Sequence, residues 1–233
     1  MTHPAGSAGE PQPGEVRAPD RERHPSRERR PWVVGVTGAS GTPYAAAVLC
    51  GLLDAGEDVD LIVSREARLT LLDETDIAFR SSHWREDVAK WLGRDADVIR
   101  HWEIGDFAAG PSSGSYRTKG MIVVPATTAS VAGIAAGISK DLLQRAGDVT
   151  LKERRPLVLV LRETPLRRGT LLQLAQLAEE GAVVLPASPG FYAGSASVQQ
   201  LVDFVAGKVL DIVGVDHDLY RRWSGRLGAK HPD

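Results

Sequence analysis

Five short runs of largely β-branched, apolar residues recur along the chain: Trp32–Val36, Val59–Val63, Met121–Val124, Pro156–Leu161 and Ala182–Leu185. A strand with one wet face alternates apolar and polar residues. A run that is apolar at consecutive positions instead reads as a strand covered on both faces of its sheet. Helical patterns separate the runs, over Tyr44–Ala55, Ser130–Ala136, Asp141–Lys152 and Thr170–Glu179. Near the C-terminus Val198, Leu201, Val202, Val205, Val209 and Ile212 keep the spacing of one buried helix face. Residues 80–118 are less regular, with Val98–Trp102 as a further candidate strand. The alternation predicts an α/β fold, a Rossmann-like or flavodoxin-like three-layer αβα sandwich with a mostly parallel sheet. Ligands of such sheets sit at the carboxyl ends of the strands.

The first 31 residues break this pattern. They hold 6 of the 14 prolines and 11 charged residues, with only Met1 and Val16 as larger apolar side chains. Such a segment cannot offset its ordering entropy by burial, so residues 1–31 are expected to be a disordered tail. Residues 32–226 form the expected domain, and 227–233 a short C-terminal tail. The tail lacks the apolar stretch of a secretory signal, and no run of the chain is long enough for a membrane span. Its six arginines are balanced by five acids, and the whole chain carries a net charge of −2, so neither nucleic acid nor an anionic membrane is an expected partner. Cys50, the single cysteine, excludes a disulfide framework and a multi-cysteine metal site, and fits a reducing, cytoplasmic setting. Within a helical pattern it reads as a small buried residue rather than a nucleophile. His83, His101 and His217 have no partners at ligand spacing, so no metal site is expected.

Several strand ends carry chemistry. The run Trp32–Val36 enters Thr37-Gly38-Ala39-Ser40-Gly41-Thr42-Pro43, where glycines and a following helix N-terminus suit a phosphate or flavin, or simply a tight turn. The spacing is not that of a dinucleotide fingerprint, and the second strand ends in Ser64-Arg65 rather than an acid. No tyrosine is followed four residues later by lysine, against a short-chain dehydrogenase. Met121–Val124 ends in Pro125-Ala126-Thr127-Thr128-Ala129-Ser130, whose hydroxyls can hold a ligand or cap a helix. Pro156–Leu161 ends in Arg162-Glu163-Thr164-Pro165, a functional pair or a weak surface ion pair. Lys152-Glu153-Arg154-Arg155 reads, taken alone, as a solvated basic run.

Together these segments resemble the UbiX-type flavin prenyltransferases, within the flavin-dependent cysteine-decarboxylase-like superfamily. The likeness runs from Trp32 to Trp223 and rests on Thr37–Gly41, Glu74-Thr75-Asp76, Ser113-Gly114-Ser115, Arg145–Asp148, Leu151–Leu159, Arg162–Leu166, Pro189–Tyr192 and Arg222-Trp223, in family order. It implies an enzyme that binds reduced FMN and joins a dimethylallyl group from dimethylallyl monophosphate to flavin N5 and C6 without a metal. It further implies that prenylated FMN passes to a UbiD-type decarboxylase, and that the assembly is a dodecamer with sites at subunit interfaces.

By position, the resemblance assigns FMN binding to Gly38, Ala39, Ser40, Ser64, Thr127, Thr128, Ala129, Ser130 and Arg162. It assigns the donor to Arg145, Lys152, Tyr192, Lys208 and Trp223, with Lys152 also stabilising the departing phosphate. Proton handling falls to Ser40, Glu74 and Glu163. The chain has no DDxxD cluster, so cationic side chains would stabilise the leaving phosphate, and Glu163 could protonate it if burial raises its pKa. Phe107 and Trp223 are candidate walls for an allyl cation, or plain core. Lys208 stands where well-known members carry Arg, which keeps the charge and loses the bidentate fork. Two other readings are a cysteine-type decarboxylase, against which the missing Asn of the Pro125–Ala129 turn argues, and a non-catalytic flavin-binding subunit.

Overall fold

The apolar runs become the strands of one sheet in a computed structural model that describes Met1, residues 30–191, residues 197–223 and Gly225. In chain order these are β1 (Trp32–Val36), β2 (Val59–Val63), β3 (Ile99–Trp102), β4 (Gly120–Ala126), β5 (Leu157–Leu161) and β6 (Val183–Pro186). They lie in the order β3-β2-β1-β4-β5-β6, and every neighbouring pair is parallel. The expected three-layer α/β sandwich is present, with a wholly parallel sheet. The order reverses between β1 and β4, so the crevice beyond their carboxyl ends is the place for a ligand.

Among the described residues seven α-helices flank the sheet: α1 (Thr42–Asp54), α2 (Arg65–Thr75), α3 (Trp84–Leu92), α4 (Thr128–Ala135), α5 (Leu142–Lys152), α6 (Arg168–Glu179) and α7 (Val198–Ile212). Side chains alternate across the pleat, so each strand feeds two cores. Val34, Val36, Leu61 and Val160 pack with α1 and α7 residues such as Leu49, Leu52, Val205 and Val209. Val33, Ile62, Met121 and Leu159 pack on the other face with Leu142, Leu143 and Leu177 of α5 and α6. Both faces are dry over β1, β2, β4 and β5, which is why these strands show no polar alternation, while the edge strands β3 and β6 are partly exposed. Asp60 is the exception within β2. It is 1% exposed and accepts a 2.8 Å hydrogen bond from Tyr116 Oη.

Two helices escape the sequence reading. In α2 only Ala67 and Leu71 are buried, while Leu69 and Leu72 face outward, so the apolar stripe is blurred. In α3 the buried face includes Asp87, which Arg80 holds through its backbone N–H at 2.8 Å and its Nε at 3.0 Å. Several ends also shift. α1 starts at Thr42 rather than Tyr44, β3 begins after Val98, and β6 moves one residue onward to Val183–Pro186. Pro31 is buried and its carbonyl accepts from Lys119 N–H at 3.0 Å, so the folded body takes in a residue assigned to the tail. The rest of that tail, residues 2–29, lies outside the described residues, as do 226–233. Among the described residues no helix is long and apolar enough to cross a membrane.

His101 on β3 lies between Phe79 and Trp84, with ring centroids 5.2 and 5.7 Å away. Its side chain is 3% exposed, and burial pushes its pKa down to about 4. Glu103 opposes that shift and Arg68 reinforces it. The ring is therefore neutral in the fold and accepts a proton more readily in the unfolded chain. Stability should be full above pH 6.5 and fall as the pH drops toward 4, by about 3 kcal/mol at most. Urea unfolding between pH 7 and pH 4 measures this slope, and His101→Phe should flatten it.

Candidate active site at the carboxyl edge of the sheet

The centre of the carboxyl edge is stitched by one buried hydroxyl. Thr37, directly after β1, donates from Oγ1 to the Pro125 carbonyl of β4 at 2.7 Å. The same oxygen accepts from Thr127 N–H at 2.8 Å. Thr37 is 1% exposed, so it fixes the two loops against each other rather than meeting a ligand.

Around this stitch the glycines of the first loop have packing and conformational roles of their own. A Cβ on Gly38 would lie 2.4 Å from Glu66 Cβ, so this glycine lets the first turn of α2 close on the loop. Gly41 has φ +118°, a conformation that favours glycine. Its N–H and that of Thr42 point at the carboxylate of Glu74, at 2.9 and 2.8 Å, and Thr42 Oγ1 adds a 2.6 Å bond. Glu74, on α2, thus caps α1 and meets the positive end of its dipole. Burial alone would raise its pKa, but donors from Ser40, Thr42 and the Gly41 and Thr42 backbone outweigh that and hold it below the usual carboxylate value. The expected anion site at the start of α1 is therefore filled by the chain's own carboxylate. Ser40 and Glu74, both expected to handle protons, are brought into hydrogen-bonding contact.

The hydroxyl-rich positions also serve as caps. Ser64 Oγ accepts from Ala67 N–H at 3.1 Å and starts α2. Thr127 Oγ1 accepts from Ser130 N–H at 3.1 Å, starts α4, and donates to Ser130 Oγ at 3.0 Å. Thr128 and Ala129 form the first turn of α4 above the same crevice.

Arg162 completes this edge. It follows β5, and its Cγ comes within 3.8 Å of where a Gly41 Cβ would stand, so the side chain lies against the first loop at Gly41. Its Nε is buried and has no hydrogen-bond partner. A buried guanidinium nitrogen without a partner is costly, and a phosphate oxygen would satisfy it. Glu163 next to it is exposed and accepts from Thr164 N–H at 3.0 Å. One chain does not supply the burial on which its acid role was made to depend.

Lys152, expected at the donor, is not brought to this edge by the same chain. α5 starts near the carboxyl edge, where Leu142 N–H donates to Ile104 O at 2.8 Å, and ends at Lys152 before β5 begins. The length of β5, roughly 16 Å, separates Lys152 from Arg162. Lys152 pairs with Glu153, and a Cβ on Gly114 would come within 2.7 Å of its Nζ, so the Ser113-Gly114-Ser115 loop belongs to this opposite edge. Arg145 donates to Ser112 O at 3.1 Å and to Asp148 at 2.9 Å. Arg155 donates to Gly114 O at 2.6 Å and Tyr116 O at 2.8 Å, a strap over the loop that the sequence reading missed.

Lys208 is exposed on α7, 3.8 Å from Asp211. Tyr192 lies outside the described residues. Phe107 and Trp223 are 50% and 59% exposed, which removes the plain-core reading of both. Cys50 is half-buried and its thiol pKa is raised by burial, in line with a packing role. Among the described residues no group of three or more His, Cys, Asp or Glu side chains is placed to hold a metal.

Comparison with known proteins gives the family. The flavoprotein family pattern matches residues 20–210. A flavin prenyltransferase UbiX of Streptomyces coelicolor is 65% identical over 213 residues, which cover 87% of this chain and 99% of that protein. The crystal structure of AnUbiX (PadA1) in complex with FMN and dimethylallyl pyrophosphate is 38% identical, with a TM-score of 0.75, covering 85% of this chain and 99% of that one. A dodecameric FMN-dependent UbiX-like decarboxylase from Escherichia coli O157:H7 is also 38% identical, with a TM-score of 0.74 and coverage of 83% and 99%.

If Glu74 is the cap of α1, Glu74→Gln should fold but lose about 1–2 kcal/mol of stability, the scale of a charged cap and its hydrogen bonds. Because the folded carboxyl is held below its ordinary 4.5, the wild-type advantage should be full above that pH and shrink beneath it. Urea midpoints of both proteins at pH 7 and pH 3.5 test the sign.

Proposed function

The chain belongs to the UbiX flavin prenyltransferases of the flavoprotein family, and on that premise we propose that it transfers the dimethylallyl group of dimethylallyl monophosphate to N5 and C6 of reduced FMN. The observation that carries the reading is the buried, unpartnered Nε of Arg162 at the β1/β4 crevice. Gly38, Ala39, Ser40, Ser64, the Thr127–Ser130 turn and Arg162 would hold the flavin. Bound there, FMN supplies the nucleophilic ring positions and an aromatic face for an allyl cation.

This chain's own residues do the rest. Lys152, Tyr192 and Lys208, with Arg145 and Trp223 beside them, would hold the donor and stabilise its departing phosphate electrostatically, with no metal required. Glu163 would deliver a proton to that phosphate. Ser40 would pass on the proton lost at ring closure, with the ionised Glu74 accepting its hydrogen bond. Since Lys152 and Arg162 stand on opposite edges of one chain, the working site would need a neighbouring copy, which would also enclose Glu163. The exposure of Phe107, Phe191 and Trp223 supports such an assembly, as does the dodecamer formed by the Escherichia coli relative. The product would be consumed by a UbiD-type decarboxylase in the cytoplasm.

Incubation of the protein with reduced FMN and dimethylallyl monophosphate, followed by mass measurement of the released flavin, tests the reaction. A mass gain of one dimethylallyl unit is expected, and it should persist in EDTA; an unchanged flavin overturns the reading. Glu163→Gln should retain FMN and slow transfer by about 10²-fold. Lys152→Ala and Arg162→Ala should each be inactive alone, and co-assembly of the two should restore part of the activity through mixed sites. No recovery would place both residues in one subunit's site.

A further inference from the structure

Four residues of α7, Phe204, Gly207, Lys208 and Asp211, follow the spacing of a single helix face. The segment after α7 folds back over that face. The Phe204 and Tyr220 rings have centroids 5.0 Å apart, and His217 lies 5.5 Å from Tyr220. Gly207 makes the approach possible. A Cβ there would stand 2.5 Å from Tyr220 Cδ1 and 2.6 Å from His217 Cε1.

One carboxylate closes the arrangement. Asp211 accepts from Tyr220 Oη, lies 3.1 Å from His217 Nε2 and pairs with Arg222 Nη2 at 2.9 Å. Burial would raise the Asp211 pKa, but the hydrogen bonds from Tyr220, Arg222 and His217 prevail and keep it low. Lys208 Nζ approaches the same carboxylate at 3.8 Å, and the Arg222 guanidinium also lies over the Tyr220 ring, 5.6 Å from its centroid. Two exposed cations, Lys208 and Arg222, are thus gathered at the Asp211 carboxylate, with Asp218 also acting on Arg222. Arg222 also contributes the planar fork that Lys208 lacks.

We propose that Asp211 is a positioning residue: it latches the 217–222 segment onto α7 so that Arg222 joins Lys208 in binding the donor phosphate. The proposal rests on the prenyl-transfer reading, which supplies the phosphate, and extends it to two residues to which that reading gives no role.

The test is a double-mutant cycle on the full chain with dimethylallyl monophosphate as the probe. Arg222→Gln, a change at an exposed side chain, and Asp211→Asn should each raise the KM for the donor by about tenfold, the size of one lost charge-assisted hydrogen bond. FMN affinity and kcat should stay within about twofold, as expected when ground-state and transition-state binding are lost together. The double variant should be no worse than either single one, because Asp211 acts through Arg222. Arg222→Lys should recover part of the loss. Trypsin should cut after Arg221 or Arg222 faster in Asp211→Asn than in the wild type. An unchanged KM in Arg222→Gln, or fully additive effects, overturns the proposal even if cleavage accelerates. If the wild type makes no prenylated flavin, the functional reading fails and the donor role with it, while the trypsin comparison still decides whether the latch exists.

Discussion

Parallel pairing of β1 with β4 at the centre of the sheet is the constraint from which the site follows. Where these strands meet, the chain order reverses and no connecting helix crosses their carboxyl ends, so a crevice opens. The Thr37 hydroxyl, buried between the strands, spends both its donor and its acceptor capacity on the β4 loop. That bond sets the distance between the first loop and the Thr127 turn. Everything else at this edge, from the Glu74 cap to the Arg162 side chain, is placed against that fixed pair.

Electrostatics then divides the edge into satisfied and unsatisfied parts. The helix dipole of α1 is met by Glu74, so its N-terminus is not an open anion site. Ser64 and Thr127 have hydroxyl oxygens engaged as caps. The Arg162 Nε, beside the first loop, is buried and unpaired. The Nε of Arg68 is buried and unpaired too, but its Nη2 pairs with Glu103, so at the crevice the Arg162 nitrogen is the one that an anion would satisfy. The opposite edge holds Lys152 and the strapped Gly114 loop a full strand length away. A reaction that used both cations would need an assembly rather than one chain.

The latch at α7 follows the same logic on a smaller scale. A glycine gives room for two rings, the rings carry polar atoms to one carboxylate, and the carboxylate collects two cations. The residues involved are spread from 204 to 222, close in sequence, yet only the fold-back makes them a unit.

Much of this was open to reading from the chain itself. Strands covered on both faces are apolar at nearly every position, so β1, β2, β4 and β5 were visible to within a residue or two, as was the apolar edge strand β6, and the strong apolar stripe of α7 located that helix. The family motifs likewise named the candidate residues, because motif residues are local strings. Helices α2 and α3 were not visible, since few of their residues are buried and one of those is Asp87, whose charge only Arg80 makes tolerable. Nor could a string of letters say that Gly38 serves Glu66, that Glu74 caps a helix 32 residues earlier, or that Lys152 and Arg162 lie on opposite edges. Burial periodicity is written into neighbouring residues, while hydrogen-bond partners and edge positions come from the crossovers of a parallel sheet, which join residues far apart in the chain.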